Sequence, residues 1–394
     1  MSAPALLSLS CASPLLRASQ GDILRHALTT TPAPTQQAHA RVQDIYRNAG
    51  ILTRGIASDL DCQHEASQSS SEPAHVLAAA LAALRNESDP HAPASTAQRM
   101  RAYQPRAGAL ARKASAAALL ESGVQPASIT HLVTATCTGF GAPGWEAALP
   151  AQLNLSPHVL RTHIGFMGCH AAINALRVAH AFAACSSSNR VLVCCAEVCS
   201  LHEQPDAHAP NHTHRAVANA LFADGAAACV VGTPESHATL DPTRTPKPKL
   251  ATLRASAATV FPKTSDHMSW HIGDHGFAMT LSRALPRAIR ERAGPWLQEW
   301  LASCDLSLAQ IAGWAIHPGG PHVLDACEAA LGLSRQSLES SREVLAQHGN
   351  MSSPTSLFVL AQELARLRAK AQHGPIVMLS FGPGVAAEAM LIDA

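Results

Sequence analysis

Charge is scarce in this chain and neither sign prevails: Asp, Glu, Lys and Arg make up 14% of 394 residues, 28 acidic against 29 basic. A nucleic-acid binder needs an excess of Lys and Arg to displace counterions from phosphates, so no nucleic-acid partner is expected. Long apolar runs are missing as well. No window reaches the ~20 unbroken apolar residues that cross a bilayer, and no membrane span is expected. The opening stretch, MSAPALLSLSCASPLLRASQ, lacks a basic segment ahead of a long apolar one. It does not read as a secretory signal, and the expectation is a cytoplasmic protein. No short-period repeat is visible.

Apolar mass is what the chain does have. Hydrophobic residues make up 47% of it, enough for a large core and too much for disorder. Its length suggests two or three domains, or one large fused duplication. Eleven cysteines are present, but a chain this long needs no disulfide staples. Cys194, Cys195 and Cys229 sit inside the apolar runs VLVCCAEV and AAACVVG, and read as buried free thiols in a reducing compartment.

Hydrophobic spacing orders the chain into alternating elements. HVLAAALAALRNE and KASAAALLESG carry apolar residues three and four apart and predict helices. ITHLVTATCT predicts a strand that GFGAPGW ends, CHAAINALRVAHAFAACS a helix, and NRVLVCCAEV and GAAACVVG buried strands. Residues 234–248, rich in Pro, Thr and charge, predict a linker between an N-terminal half, 1–233, and a C-terminal half, 249–394. In the second half LATLRASAATVF reads as a strand and TLSRALPRAIRERAGPWLQEWLAS as a helix. IAGWAIHPGG reads as strand then turn, HVLDACEAALGL and SPTSLFVLAQELARLRAKA as helices, and GPIVMLSFGPG as a strand closed by a glycine turn. Both halves alternate strand and helix, which implies an α/β fold with helices covering a sheet.

Four segments could do chemistry. In GFMGCHAAINAL, Cys169 sits where a strand and its glycines give way to a helix, whose unpaired N–H groups favour a thiolate. Alone, it fits a small hydrophobe in a helix–strand contact at least as well. In WAIHPGGPHVLDACEAALGL, His317 follows a buried strand, at the end where ligands gather in α/β folds, or else fills a turn. In REVLAQHGNMSSPTSLFVLAQEL, Asn350 precedes Ser352 and Ser353 at a helix start, where a capping or turn role is also open. In SFGPGVAAEAM, Gly382 and Gly384 flank a proline, either as a tight turn or as a loop that lets backbone approach a substrate. No βαβ unit follows, so this is not a dinucleotide fingerprint.

Together these segments resemble the type III polyketide synthases, the chalcone and stilbene synthase superfamily. The resemblance covers nearly the whole chain and is strongest in GFMGCHAA, ALFADGAAACVVG, WAIHPGGPHVLDACEAALGL, EVLAQHGNMSSPT and SFGPG. CTGFGAPG and AEVCSLHEQ look more like bacterial members than plant ones. The resemblance implies a thiolase-like fold, two duplicated halves in an α-β-α-β-α sandwich, and a catalytic triad of Cys169, His317 and Asn350. Cys169, as a thiolate paired with His317, would take an acyl group from an acyl-CoA. Malonyl-CoA would then lose carbon dioxide, and His317 and Asn350 would donate to the enolate oxygen before the carbanion attacks the thioester. No metal or redox cofactor is implied; the partners are an acyl-CoA starter and malonyl-CoA.

The same resemblance assigns the cavity. Phe222 falls at a gatekeeper phenylalanine, and Met279 replaces the second. Trp270 stands where plant chalcone synthases have a pocket glycine. Cys137, Cys199 and His202 fall on cavity-lining threonine positions, with Ser352, Gly382 and Gly384 beside the substrate. Arg41 matches one position of the basic CoA-binding cluster, Asp44 and Asn48 occupy the other two, and Arg47 and Arg54 are nearby substitutes. A homodimer is implied, with Ala142 of FGAPG reaching toward the partner. An initiating ketoacyl-carrier-protein synthase is the alternative within the fold, though its histidine motif usually continues toward an asparagine rather than HPGGP. A different class, an inert or metal-binding interaction protein, is invited by 22 histidines and by His267, His271 and His275 spaced by four. Gly273 and the family match predict loop and strand there, not one helical face.

Overall fold

The computed structural model describes residues 3–30, 35–63, 73–89, 92–204, 213–233 and 249–394. The expected linker, 234–248, lies outside the described residues. The first half contributes β1 (Ala5–Ala12), β2 (Arg17–Ser19), β3 (Thr53–Gly55), β4 (His131–Thr136), β5 (Leu160–Gly165), β6 (Arg190–Val198) and β7 (Asp224–Gly232). The second contributes β8 (Ala251–Val260), β9 (Met268–Gly273), β10 (Gly276–Leu281), β11 (Gly313–Ile316), β12 (Pro375–Gly382) and β13 (Ala386–Asp393). The helices are α1 (Gln20–Thr30), α2 (Gln36–Arg47), α3 (Pro73–Leu81), α4 (Thr96–Ser122), α5 (Leu149–Gln152), α6 (Ala171–Cys185) and α7 (Thr213–Leu221) in the first half. The second half adds α8 (Leu285–Ser303), α9 (Pro321–Leu331), α10 (Glu339–His348) and α11 (Thr355–Ala369).

Nine strands hydrogen-bond in the order β11-β12-β13-β8-β1-β7-β6-β4-β5. From β1 outward, the pairs β1–β7 and β7–β6 are antiparallel, and β6–β4 and β4–β5 parallel. From β8 outward, β8–β13 and β13–β12 are antiparallel, and β12–β11 parallel. The two halves thus repeat one succession of strand directions, the first adding β5 at its edge. They are joined where β1 pairs with the start of β8 at Ala5 and Leu6.

Strand periodicity then sets the layers. Alternate side chains of a strand face opposite sides of the sheet. Val191, Val193 and Cys195 of β6 pack with α6 and α11, whereas Leu192, Cys194 and Ala196 pack with α4. In the second half Ala315, Ile376 and Met378 face α6 and α11, whereas Trp314, Ile316, Val377 and Leu379 face α8 and α9. The order is α4, first sheet half, α6 with α11, second sheet half, α8 with α9: five layers. Strands covered on both faces are continuously apolar, which explains VLVCC and IVMLSF. The central layer is the best buried. A large-to-small change there, such as Leu360→Ala, is expected to cost ~2–5 kcal/mol.

Helix ends follow the side chains. Ser95 caps α4, accepting from Gln98 N–H while the Gln98 side chain accepts from the Ser95 N–H, and Gly123 ends the helix with φ at 68°. α9 begins with Pro321 and stops at Gly332, φ 65°. α6 is preceded by a single 3-10 turn, Gly168–His170, entered through Phe166 at φ 59° and Gly168 at φ 78°. A left-handed glycine there lets the chain turn from β5 into the central layer, with Cys169 at the corner.

Candidate active site

Cys169 is buried at this corner, 6% exposed. The turn locks against the loop after β12: a side chain on Gly168 would come within 2.7 Å of Pro383 Cδ, and one on Gly382 would collide with the His170 ring. The two glycines therefore serve close approach of two backbones. β12 also positions His317, whose N–H donates to the Leu379 carbonyl at 2.8 Å as the chain leaves β11. His317 is 2% exposed, and neither ring nitrogen has a hydrogen-bond partner among the described residues.

Asn350, from the same half as His317, reaches across to the first half. Its N–H donates to the Leu221 carbonyl at 2.9 Å, and its own carbonyl accepts from Ala223 N–H at 2.8 Å, so it is pinned beside Phe222. Its side-chain Oδ1 accepts from Ser352 N–H at 2.8 Å. That leaves the amide NH2 as the end free to donate. The thiol of Cys169 is pushed up to about 11 by burial and by the charge of Glu197, while Ser352 and the Asn350 side chain pull it down. Burial pushes His317 down to about 3, with His170 adding to it. Neither a lone thiolate nor a lone imidazolium is stable here. At rest the thiol and the imidazole are therefore both neutral, and among the described residues no hydrogen bond joins Cys169 to His317.

Glu197 was not among the candidates read from the sequence. It is fully buried on β6 and accepts from Thr136 Oγ1 at 3.0 Å, Thr138 Oγ1 at 2.6 Å, Ser353 Oγ at 2.6 Å and Cys137 N–H at 2.9 Å. Burial raises its pKa, and these donors lower it. One acid inside RVLVCCAEV was the available signal. Cys137 is within 3.1 Å of Ser352 Oγ. Ser352, at φ 59°, therefore touches both cysteines.

Phe222, Met279, Trp270, Cys199, His202 and Arg54 line one cavity next to this cluster. Trp270 pairs with Met279 across the β9–β10 hairpin, and its Nε1–H donates to the Cys137 carbonyl at 2.8 Å. His202 Nδ1 accepts from Phe277 N–H at 3.0 Å, so its Nε2–H donates to the Thr138 carbonyl at 2.7 Å. With both nitrogens used by backbone and burial pushing its pKa down to about 3, it is a neutral cross-link between the hairpin and that loop. Gly384, at φ 127°, ends the Gly382 loop.

Arg41 and Arg47 lie exposed on α2, where Arg47 is 3.6 Å from Asp44. Arg54 is different. It is 2% exposed and gives Nη1 to the carbonyls of Asn219 and Phe222, at 2.7 and 2.5 Å, bracing the backbone of Phe222 rather than facing solvent. His267 lies before β9, His271 on it, and His275 in the hairpin turn, with its Nδ1 3.3 Å from the Ala94 carbonyl. Among the described residues, no group of three metal-ligating side chains converges. No helix among them is long and apolar enough to cross a membrane.

Comparison with known proteins identifies the family. Residues 76–235 match the model of the N-terminal domain of chalcone and stilbene synthases, and residues 252–394 that of the C-terminal domain. The chain is 32% identical over 354 residues to the alpha-pyrone synthesis polyketide synthase-like Pks18 of Mycobacterium tuberculosis, covering 90% of this chain and 82% of that protein. The Mycobacterium bovis protein of the same name matches equally. Among solved structures, PKS-I from the brown alga Ectocarpus siliculosus superposes with a TM-score of 0.83 at 27% identity, covering 100% of this chain and 98% of that one.

Proposed function

The chain belongs to the chalcone and stilbene synthase family and is a type III polyketide synthase with a thiolase-like fold, and from that premise we propose the roles of its residues. Such enzymes work on CoA thioesters without a resident cofactor. Cys169 is the nucleophile. As it attacks the starter's thioester carbonyl, its proton passes to His317, which then protonates the departing CoA thiolate. After loading, malonyl-CoA loses carbon dioxide. The electron pair left on carbon delocalises into an enolate, whose oxygen takes hydrogen bonds from His317 and the Asn350 NH2. The carbanion attacks the Cys169 thioester and frees the sulfur, and the lengthened chain, now on CoA, reloads. The observation that carries this reading is the imidazole of His317, buried with no partner on either nitrogen among the described residues, together with an Asn350 amide whose Oδ1 is already occupied.

The cavity supports an aliphatic starter. Trp270, held by Cys137, fills the side where a small residue would admit an aromatic ring, while Met279 leaves the neighbouring wall adaptable. A fatty acyl chain cyclised to a pyrone or resorcinol fits best, and the name of the mycobacterial relative favours the pyrone. Arg41 and Arg47 are the residues we place at the CoA phosphates, with Arg54 acting on Phe222. The boundaries we assign are 1–233 for the cysteine-bearing half and 249–394 for the half with His317 and Asn350.

A homodimer is supported by exposed Leu160 at the start of edge strand β5, by exposed Phe140 and Met167 at the other end of that strand, and by Ala142 in the loop that carries Phe140. Light scattering after size-exclusion chromatography tests it, and a monomer would remove it. Eleven unpaired thiols support a reducing, cytoplasmic setting. The function itself is tested by incubation with malonyl-CoA and acyl-CoAs from acetyl to long-chain, with products read by mass spectrometry. Chain-extended lactones or phenols are expected. Absence of any extended product across the panel would refute the reading.

A further inference from the structure

Beside the nucleophile stands a second buried imidazole that the reaction above does not use. His170 is 2% exposed, and its Nδ1 lies 2.8 Å from Asn174 Oδ1, one turn along α6. The Asn174 amide nitrogen donates to Glu388 Oε1 at 2.9 Å, which makes its Oδ1 the acceptor and fixes a proton on His170 Nδ1. Glu388, buried on β13, is held in turn by both terminal nitrogens of Arg177, at 2.8 and 3.1 Å. The other edge of the ring, Cδ2 and Nε2, lies against Gly382. His317 is on that side too, because along β11 Ala315 faces the central layer and residue 317 follows its parity.

We propose that His170 is a positioning residue for the condensation: the Asn174–Glu388–Arg177 chain holds its ring between the nucleophile's turn and the Gly382 loop, and protonation of that ring opposes the charging of His317. The inference rests on His317 being the acid–base residue. Burial lowers the affinity of His170 for a second proton, the Asn174 bond and Glu388 raise it, and Arg177 lowers it. The ring is therefore neutral at rest and out of His317's way. The ionisable groups around it are Glu388 on β13, Arg177 on α6, His317 after β11 and Cys169 in its own turn. β12 carries none, and on α11 Glu363 and Arg366 bond each other. As pH falls and His170 charges, His317 becomes harder to charge, and proton transfer from Cys169 is suppressed.

The test is the pH profile of starter loading in a single turnover, read as the intact mass of the acyl-enzyme, for wild type, His170→Asn and Glu388→Gln. His170→Asn keeps an amide donor toward Asn174 and removes the titrating ring. Its acidic limb is expected to lie ~1 pH unit lower, about tenfold in rate at the acidic end. Glu388→Gln removes the charge that favours the His170 imidazolium, so its limb moves the same way by less, and it carries the test alone should His170→Asn not fold. Acidic limbs that coincide with wild type, with any loss uniform across pH, overturn the proposal, since a purely structural residue gives that pattern. If the wild type loads no starter at any pH, the reading of Cys169 has failed and this proposal falls with it.

Discussion

Asn350→Ala separates the two halves of the reaction, and the structure says by how much. The backbone at residue 350 is fixed by bonds to Leu221 and Ala223, which alanine keeps. What goes is the side chain: an acceptor for Ser352 N–H, and the NH2 that we propose donates to the developing enolate. Loss of the acceptor orphans one buried N–H, a stability cost of ~1–3 kcal/mol. Removal of one preorganised oxyanion donor is expected to lower malonyl-CoA decarboxylation by ~10²–10³-fold, or ~2.7–4 kcal/mol of barrier. Starter loading keeps its nucleophile and its proton acceptor. It loses only the pull of Asn350 on the Cys169 thiol, a minor influence beside burial. Decarboxylation is read as acetyl-CoA formed from malonyl-CoA without starter, and loading as acyl-enzyme mass. His317→Ala should damage both reactions. Equal losses of loading and decarboxylation in Asn350→Ala would refute the division of labour between the two residues.

Other consequences can be checked on the same protein. Cys169→Ala should abolish loading and product while leaving the melting temperature close to wild type; polyketide formation near the wild-type rate would sink the nucleophile assignment. Trp270→Gly should change chain length or ring type of the product without removing the acyl-enzyme, and an unchanged product spectrum means the indole does not shape the cavity. Asp224, buried and accepting from Ala57 N–H, Ser200 N–H and Ser200 Oγ, is pushed up by burial from 3.8 to about 6. A folded-state value above the unfolded one means that its contribution is full below pH 4 and is lost as pH rises through about 6. The gap in melting temperature between wild type and the less stable Asp224→Asn should therefore narrow over that window, and a gap that widens would contradict the sign.

The parts of the fold legible in the sequence were those whose signal is local. Cys169, His317 and Asn350 each sit at a strand end or helix start, marked by glycine or proline within a few residues. Apolar strands alternating with helices pointed to an α/β fold, while the five layers came from the family resemblance. β1 was not legible, although it is the strand that joins the two sheet halves. ALLSLSCA mixes Leu with Ser, and its importance comes from pairing with residues more than two hundred positions away. β13 was also missed, because AAEAMLID has helical composition and becomes a strand only between β8 and β12. Glu197 was invisible as a site residue for a similar reason: its donors come from segments about 60 and 156 residues distant, and nothing near it in the chain shows they converge.

The placement of the cluster explains how one site serves two chemistries. Loading needs a sulfur anion, and decarboxylation needs stabilisation of an oxygen anion, yet the corner of the central layer solvates neither. Burial makes each isolated charge costly, as the opposed displacements of Cys169 and His317 express. In the proposed reaction, charge then appears only together with a partner: sulfur against imidazolium in the first step, enolate against His317 and Asn350 in the second. A partnered oxyanion loses little in such surroundings, while a stray thiolate, or water attacking the acyl-enzyme, gains no comparable help. That selectivity requires His317 to have no competing acceptor, and among the described residues it has none. It also requires the amide of Asn350 to present only its donor end, which the Ser352 N–H enforces by occupying Oδ1.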